Sequence, residues 1–166
     1  KLSDTGKVHH AVISADGKYV AYTNQANGKE SLWLRHLETA NNTEIIPPSD
    51  ELYFGLAFSK DGETLFFTKQ INKEIGVLGI YRIPVFGGVS IKIAENIQGW
   101  ISISPDDKQI SFIRDPQSAQ YFNKLMVIDV DGKNEREVKV SESSNGFLAN
   151  AFSPDGKTIA AVYGHS

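Results

Sequence analysis

The 166 residues contain no cysteine, so disulfides, thiolate metal centres and a thiol nucleophile are excluded together. Positive charge is also in short supply. Lys and Arg number 17 against 20 Asp and Glu, giving a net charge of −3 and a pI near 5.8. That leaves no basic footprint for a nucleic acid. No apolar run approaches the ~20 residues of a membrane-spanning helix, and Lys1-Leu2-Ser3-Asp4 has no signal-peptide character. The nucleophile elbow G-x-S-x-G is missing as well. Its nearest relatives, GVSIK at 88–92 and GHS at 164–166, lack the second glycine or the context that the motif requires. Helical periodicity is absent. With 40% hydrophobic and 22% charged residues, what remains is the composition of an ordinary globular chain.

A five-residue phrase is present four times: SADGK at 14–18, SKDGE at 59–63, SPDDK at 104–108 and SPDGK at 153–157. Its aspartates, Asp16, Asp61, Asp106 and Asp155, are spaced by 45, 45 and 49 residues. A fixed period of about 40 to 50 residues with several short strands per unit marks propeller blades. The approaches VHHAVIS, YFGLAFS, GWISIS and FLANAFS, and the exits YVAYTN, TLFFTK, QISFIR and TIAAVY, are short and rich in β-branched and aromatic residues. In places they are apolar on both faces, as expected of strands sandwiched between sheets.

The phrase is a turn with a mechanism. Ser or Asp caps nearby backbone amides, Pro presets φ, and Gly supplies the positive φ that ends a three-residue hairpin with a bulge. Gly17, Gly62 and Gly156 are therefore expected at positive φ, and Asp107 is expected to share that conformation under mild strain. On this reading Asp107→Gly stabilises the protein by ~0.5–1 kcal/mol.

Further strand candidates complete each repeat: SLWLRHL and TEIIPP, GIYRIPV and VSIKIAE, KLMVIDV and REVKVSE. The expected fold is all-β, a β-propeller segment with three complete four-stranded blades (about 8–48, 53–95 and 98–142) and half a fourth (about 147–164). Residues 1–6 read as the tail of a preceding blade. Three and a half blades cannot close a ring that takes about four to eight, so the chain is expected to be a piece of a larger propeller. Further blades or self-association would cover open faces carrying Val12, Val20, Phe152 and Ile159, or the residues opposite them.

The strand, the S-P-D-G-K turn, the second strand and a third such as LMVIDVDG resemble the WD-like repeat of TolB-type β-propellers over essentially the whole chain. Similar repeats occur in periplasmic translocation proteins, in extracytoplasmic propellers fused to bacterial kinases or winged-helix regulators, and in the propellers of prolyl oligopeptidase and dipeptidyl peptidase IV-type enzymes. The resemblance implies a non-catalytic module, periplasmic or otherwise extracytoplasmic, that binds a protein, peptide or small ligand without a cofactor. The alternative it implies is a gating propeller of a serine peptidase.

Other chemistry is weaker. The turns are not sialidase aspartate boxes, because Gly17, Gly62 and Gly156 follow Asp directly. DVDGKNE at 129–135 places its glycine fourth, where a calcium loop needs it sixth, so a hairpin is expected there. His9 and His10 are neighbours on a strand and point to opposite faces, so they cannot share a metal ion. Asn41-Asn42-Thr43 matches a glycosylation sequon, a pattern short enough to arise by chance.

Geometry supplies the remaining candidates. If the first strand of each blade lines the channel, His9, His10, Tyr53, Phe54, Gly99, Trp100 and Phe147 share one mouth. The loops 24–30, 70–78 and 115–123 emerge on the same side, and such loops carry binding residues. The expected ligand or partner face is His9, His10, Tyr53, Trp100, Tyr121 and Phe122, although Phe54, Trp100 and Phe147 taken singly have the simpler expectation of packing between blades.

Overall fold

A computed structural model describes residues 7–72, 76–114, 123–141 and 146–164. Thirteen antiparallel strands and no helix occur among them. The first sheet runs in chain order through β1 (Val8–Ile13), β2 (Tyr19–Ala26), β3 (Lys29–His36) and β4 (Asn42–Ser49). Pro47 and Pro48 fall on β4, the edge of that sheet, where a missing N–H breaks no ladder. The second unit is β5 (Tyr53–Phe58), β6 (Thr64–Asn72), β7 (Val77–Pro84) and the start of β8 (Ile91–Ile103). The third uses the end of β8, then β9 (Gln109–Arg114), β10 (Lys124–Asp129) and β11 (Arg136–Val140). A two-stranded sheet follows, β12 (Gly146–Phe152) and β13 (Ile159–Gly164). The inner strands β1, β5, β8 and β12 contact one another in succession, which sets the sheets around a common axis.

The sequence suggests separate strands around 89–95 and 99–104, but the structure joins them in β8. Ile97 pairs with Leu78 on one side and with Arg114 on the other, so the strand is handed from one sheet to the next at that residue. Asn96, at φ 59°, and a bulge between Gln98 and Ile101 that contains Gly99 take up the bend. The expected loop 24–30 also shrinks. β2 and β3 meet in a two-residue turn, Asn27 (φ 52°) and Gly28 (φ 76°), the pairing that matches strand twist.

The four repeated turns share one bonding pattern. In the first, Ser14 Oγ donates to Asp16 Oδ1 at 2.7 Å, which also accepts Lys18 N–H at 3.0 Å, while Ser14 Oγ accepts Tyr19 N–H at 3.0 Å. The same three bonds recur about Ser59 and Asp61, Ser104 and Asp106, and Ser153 and Asp155. Gly17, Gly62, Gly156 and Asp107 sit at φ 71°, 75°, 70° and 58°. The loop is one residue longer than the three-residue hairpin the turn chemistry suggests. Ser14 N–H donates to Tyr19 O and Gly17 N–H to Ser14 O, so residues 15–18 lie between the paired positions.

Alternate residues of the central strands feed two cores. On β6, Leu65 and Phe67 join Ala21, Leu32 and Leu34 between the first and second sheets, whereas Phe66 joins Ile80, Ile110, Phe112 and Ile128 between the second and third. The apolar run LFF is therefore a strand buried on both faces, and truncating a residue such as Phe67 to Ala costs about 3–5 kcal/mol. The same alternation decides between the two sets of open-face residues that the sequence allows. Val12 pairs with Ala21 and packs toward the second sheet, and Val20 is buried. Phe152 and Ile159 are half-buried, Ile159 against Ile113, Leu125 and Phe147. On β1, β12 and β13 the exposed large apolar side chains are Ile13, next to Val12, and Leu148, Val162 and Tyr163.

Candidate functional site

The repeat places His10, Gly55 and Trp100 at equivalent positions of β1, β5 and β8, 45 residues apart. Gly55 is the small member for a packing reason: a Cβ there would lie 2.8 Å from Gly99 O. Thr68 secures the close approach. Its Oγ1 accepts Gly55 N–H at 2.6 Å and donates to Gly99 O at 2.7 Å, tying β6 to β8 beneath the mouth. Thr23, the corresponding residue of β2, accepts His10 N–H at 3.2 Å. With no side chain at Gly55, the rings on either side meet. His10 lies edge-on to Trp100 at 5.6 Å with an interplanar angle of 77°, and 6.4 Å from Phe54. Such edge-to-face separations are favourable aromatic geometry.

This cluster draws one ring from each of three consecutive units, and Trp100 remains 52% exposed. Burial pushes the His10 imidazole below its usual value, an effect that the Glu30 carboxylate opposes and His9 reinforces. His10 is thereby kept neutral, as a ring partner, over more of the pH range.

His9, on the opposite face, meets Glu30 instead, with Nδ1 2.7 Å from Glu30 Oε1. Tyr53 departs from its expected role at the partner face. It is 2% exposed, lies 5.8 Å from Phe67, and has its phenol pushed up to about 12 by burial, so it is core and cannot touch a ligand. Phe147 is core too, packed with Ile113 and Leu125 and edge-on to Tyr163 at 5.5 Å. Asn123 grips its backbone, accepting Phe147 N–H and donating to Phe147 O, both at 2.9 Å. Tyr121 and Phe122 lie outside the described residues. Asn41 of the sequon is exposed.

Among the described residues, no group of three or more His, Cys, Asp or Glu is placed to hold a metal ion. The four turn aspartates are spent on their own serines and backbone amides. Glu30 closes the loop 24–30 expected on this side, yet nothing in the sequence singles it out from the other residues of that loop.

No family model and no curated protein matches the sequence. Solved structures do match the fold. TolB from Acinetobacter baumannii superposes with a TM-score of 0.76 at 22% identity, over 96% of this chain and 38% of that one. Its fold is the TolB-like β-propeller. An oligogalacturonate lyase from Vibrio parahaemolyticus gives a TM-score of 0.74 at 18% identity, over 98% of this chain and 48% of that one. A prolyl endopeptidase structure gives 0.71 at 14%, over 96% and 26%. The propeller chain thus spans less than half the length of these proteins. Their identities, all below 25%, establish architecture and leave function to the site.

Proposed function

We propose that this propeller is a non-catalytic binding module whose channel mouth captures a protein or peptide through the rings of His10, Phe54 and Trp100. The observation that carries the reading is Trp100. It is half exposed on a strand rather than a loop, and the His10 ring, held across Gly55, braces it. An aromatic side chain presented this way has little conformational entropy left to lose on binding, and tryptophan is among the residues that dominate binding energy. The likeness to a chain of a nidogen–laminin complex, with a TM-score of 0.72, supports a propeller used for protein contacts. As part of the same proposal, the module works outside the cytoplasm.

The competing reading is a gating propeller of a serine peptidase, for which the likeness to prolyl endopeptidases speaks. A hydrolase domain carrying G-x-S-x-G in the same polypeptide would decide for it. The direct test selects a displayed peptide library in parallel on the native protein and on Trp100→Ala. Peptides enriched by the native protein and lost on the variant, with far-UV circular dichroism unchanged, are expected. Equal enrichment on both proteins would overturn the binding role of the mouth.

A further inference from the structure

Glu30 is an acidic residue with a side chain only 3% exposed, and its two oxygens reach two different sheets. Oε1 accepts from His9 Nδ1 at 2.7 Å, on β1; Oε2 accepts Tyr53 N–H at 2.9 Å, at the start of β5. Each partner directly precedes a mouth ring, His9 before His10 and Tyr53 before Phe54. One carboxylate therefore holds the His9 side chain and the Tyr53 backbone, each just ahead of one of the three rings. The third unit offers a comparison. Asn123, just before β10, performs the same capture on Phe147 N–H, with a neutral amide in place of the carboxylate. The first latch is ionisable where the later one is not.

We propose that Glu30 is the positioning residue of the aromatic mouth, and that its pairing with His9 makes the arrangement of His10, Phe54 and Trp100 depend on the protonation of His9. The physical basis is the charge on the pair. Protonating His9 turns a hydrogen bond to a carboxylate into a full ion pair, whose attraction is stronger where water is excluded, and a buried carboxylate has little water to fall back on. With His9 protonated, Glu30 is fully compensated and both strand starts are held. With His9 neutral, the same Nδ1–H donates a weaker bond and the carboxylate is left under-compensated. Histidine changes charge between about pH 5 and 8. The other ionisable groups about the pair do not replace this interaction. His10 turns to the rings, the Tyr53 phenol is buried, and Glu51, ahead of β5, is held by Lys69 Nζ at 2.8 Å.

This inference rests on the mouth being the binding site for its use, but not for its test. The full chain, uniformly labelled with nitrogen-15 and free of ligand, is titrated from pH 8 to pH 6 while the Trp100 indole N–H is followed. It is expected to move in the native protein, and that movement is expected to shrink severalfold in His9→Gln and Glu30→Gln, which keep a donor and an acceptor of similar size but no charge. Identical movement of the Trp100 indole in the native protein and His9→Gln would overturn the proposal, whether or not Glu30→Gln folds. A second arm measures affinity for a peptide selected through Trp100, expected to tighten severalfold from pH 8 to pH 6 in the native protein and to stay flat in His9→Gln. A library that yields no such peptide counts against the binding role alone, since the spectra report the positioning without a ligand.

Discussion

Two departures from the repeated turn are one interaction, and this changes what a mutation at Asp107 should do. Position 60 is Lys where the third and fourth turns have Pro105 and Pro154, and position 107 is Asp where the other turns have glycine. In the structure Lys60 N–H points at the Asp107 carboxylate, 2.8 and 2.9 Å from its two oxygens. Proline at 60 would remove that donor. At the next junction the equivalent residues are Pro105 and Gly156, where a Cβ on Gly156 would lie 3.4 Å from Pro105 Cδ. One junction is closed by a hydrogen bond and the other by apolar contact. Asp107→Gly relieves a left-handed backbone, worth about 1 kcal/mol. It also loses a bond to a charged acceptor, which at an exposed site contributes about 1 kcal/mol, below the usual 1.5–3. The two nearly cancel, so the stabilisation expected from the turn alone should not appear. Asp107→Ala keeps the strain and loses the bond, and should destabilise by ~1–2 kcal/mol. Lys60→Pro alone should cost ~1 kcal/mol, while Lys60→Pro with Asp107→Gly recreates the Pro105–Gly156 junction and should recover most of it. Urea unfolding of the four proteins measures the coupling. A full ~1 kcal/mol gain in Asp107→Gly, together with additive effects of the pair, would refute the reasoning.

Acid should loosen the turns. The serine hydroxyls hold Asp61, Asp106 and Asp155 below the usual carboxylate range and bring Asp16 to about 2. Because the folded values are depressed, this stabilisation is complete above the unfolded value of about 3.9 and is lost as pH falls toward about 2; the urea midpoint should drop over that interval, and less steeply in Ser14→Ala. Gly55→Ala should destabilise by ~1–3 kcal/mol, because its methyl meets Gly99 O, and should shift Trp100 fluorescence in a Trp33→Phe background; an unchanged midpoint and spectrum would contradict the close approach. Gly156→Val places a β-branched residue at φ 70° and should cost at least ~1 kcal/mol in the same unfolding assay. Ile13, Val162 and Tyr163 leave apolar surface on the first and last sheets, so light scattering of this chain should show concentration-dependent association that Val162→Glu reduces; a monodisperse 18.3 kDa particle at every concentration would argue otherwise.

The features legible in the sequence are those whose bonds close within a few residues. Ser14, Asp16, Gly17 and Tyr19 complete their turn inside six positions, so four copies of the phrase were enough to place the hairpins and the period of the fold. Strand alternation carried nearly as far, since Phe66 and Phe67 must face opposite ways whatever surrounds them. Tertiary structure decided what depends on how one sheet lies against the next. Tyr53 and Trp100 read alike as aromatic residues at strand starts, yet one is sealed in the core and the other half open. Tyr53 falls in the core between the first two units, while Trp100 falls where Gly55 and Thr68 bring β8 close to β5. The meeting of His10 with Trp100, the reach of Glu30 to His9 and Tyr53, and the pairing of Lys60 with Asp107 each join residues 21 to 90 positions apart. No local rule specifies such pairs, because which side chains face each other across two sheets is set by the angle and spacing at which the whole sheets pack.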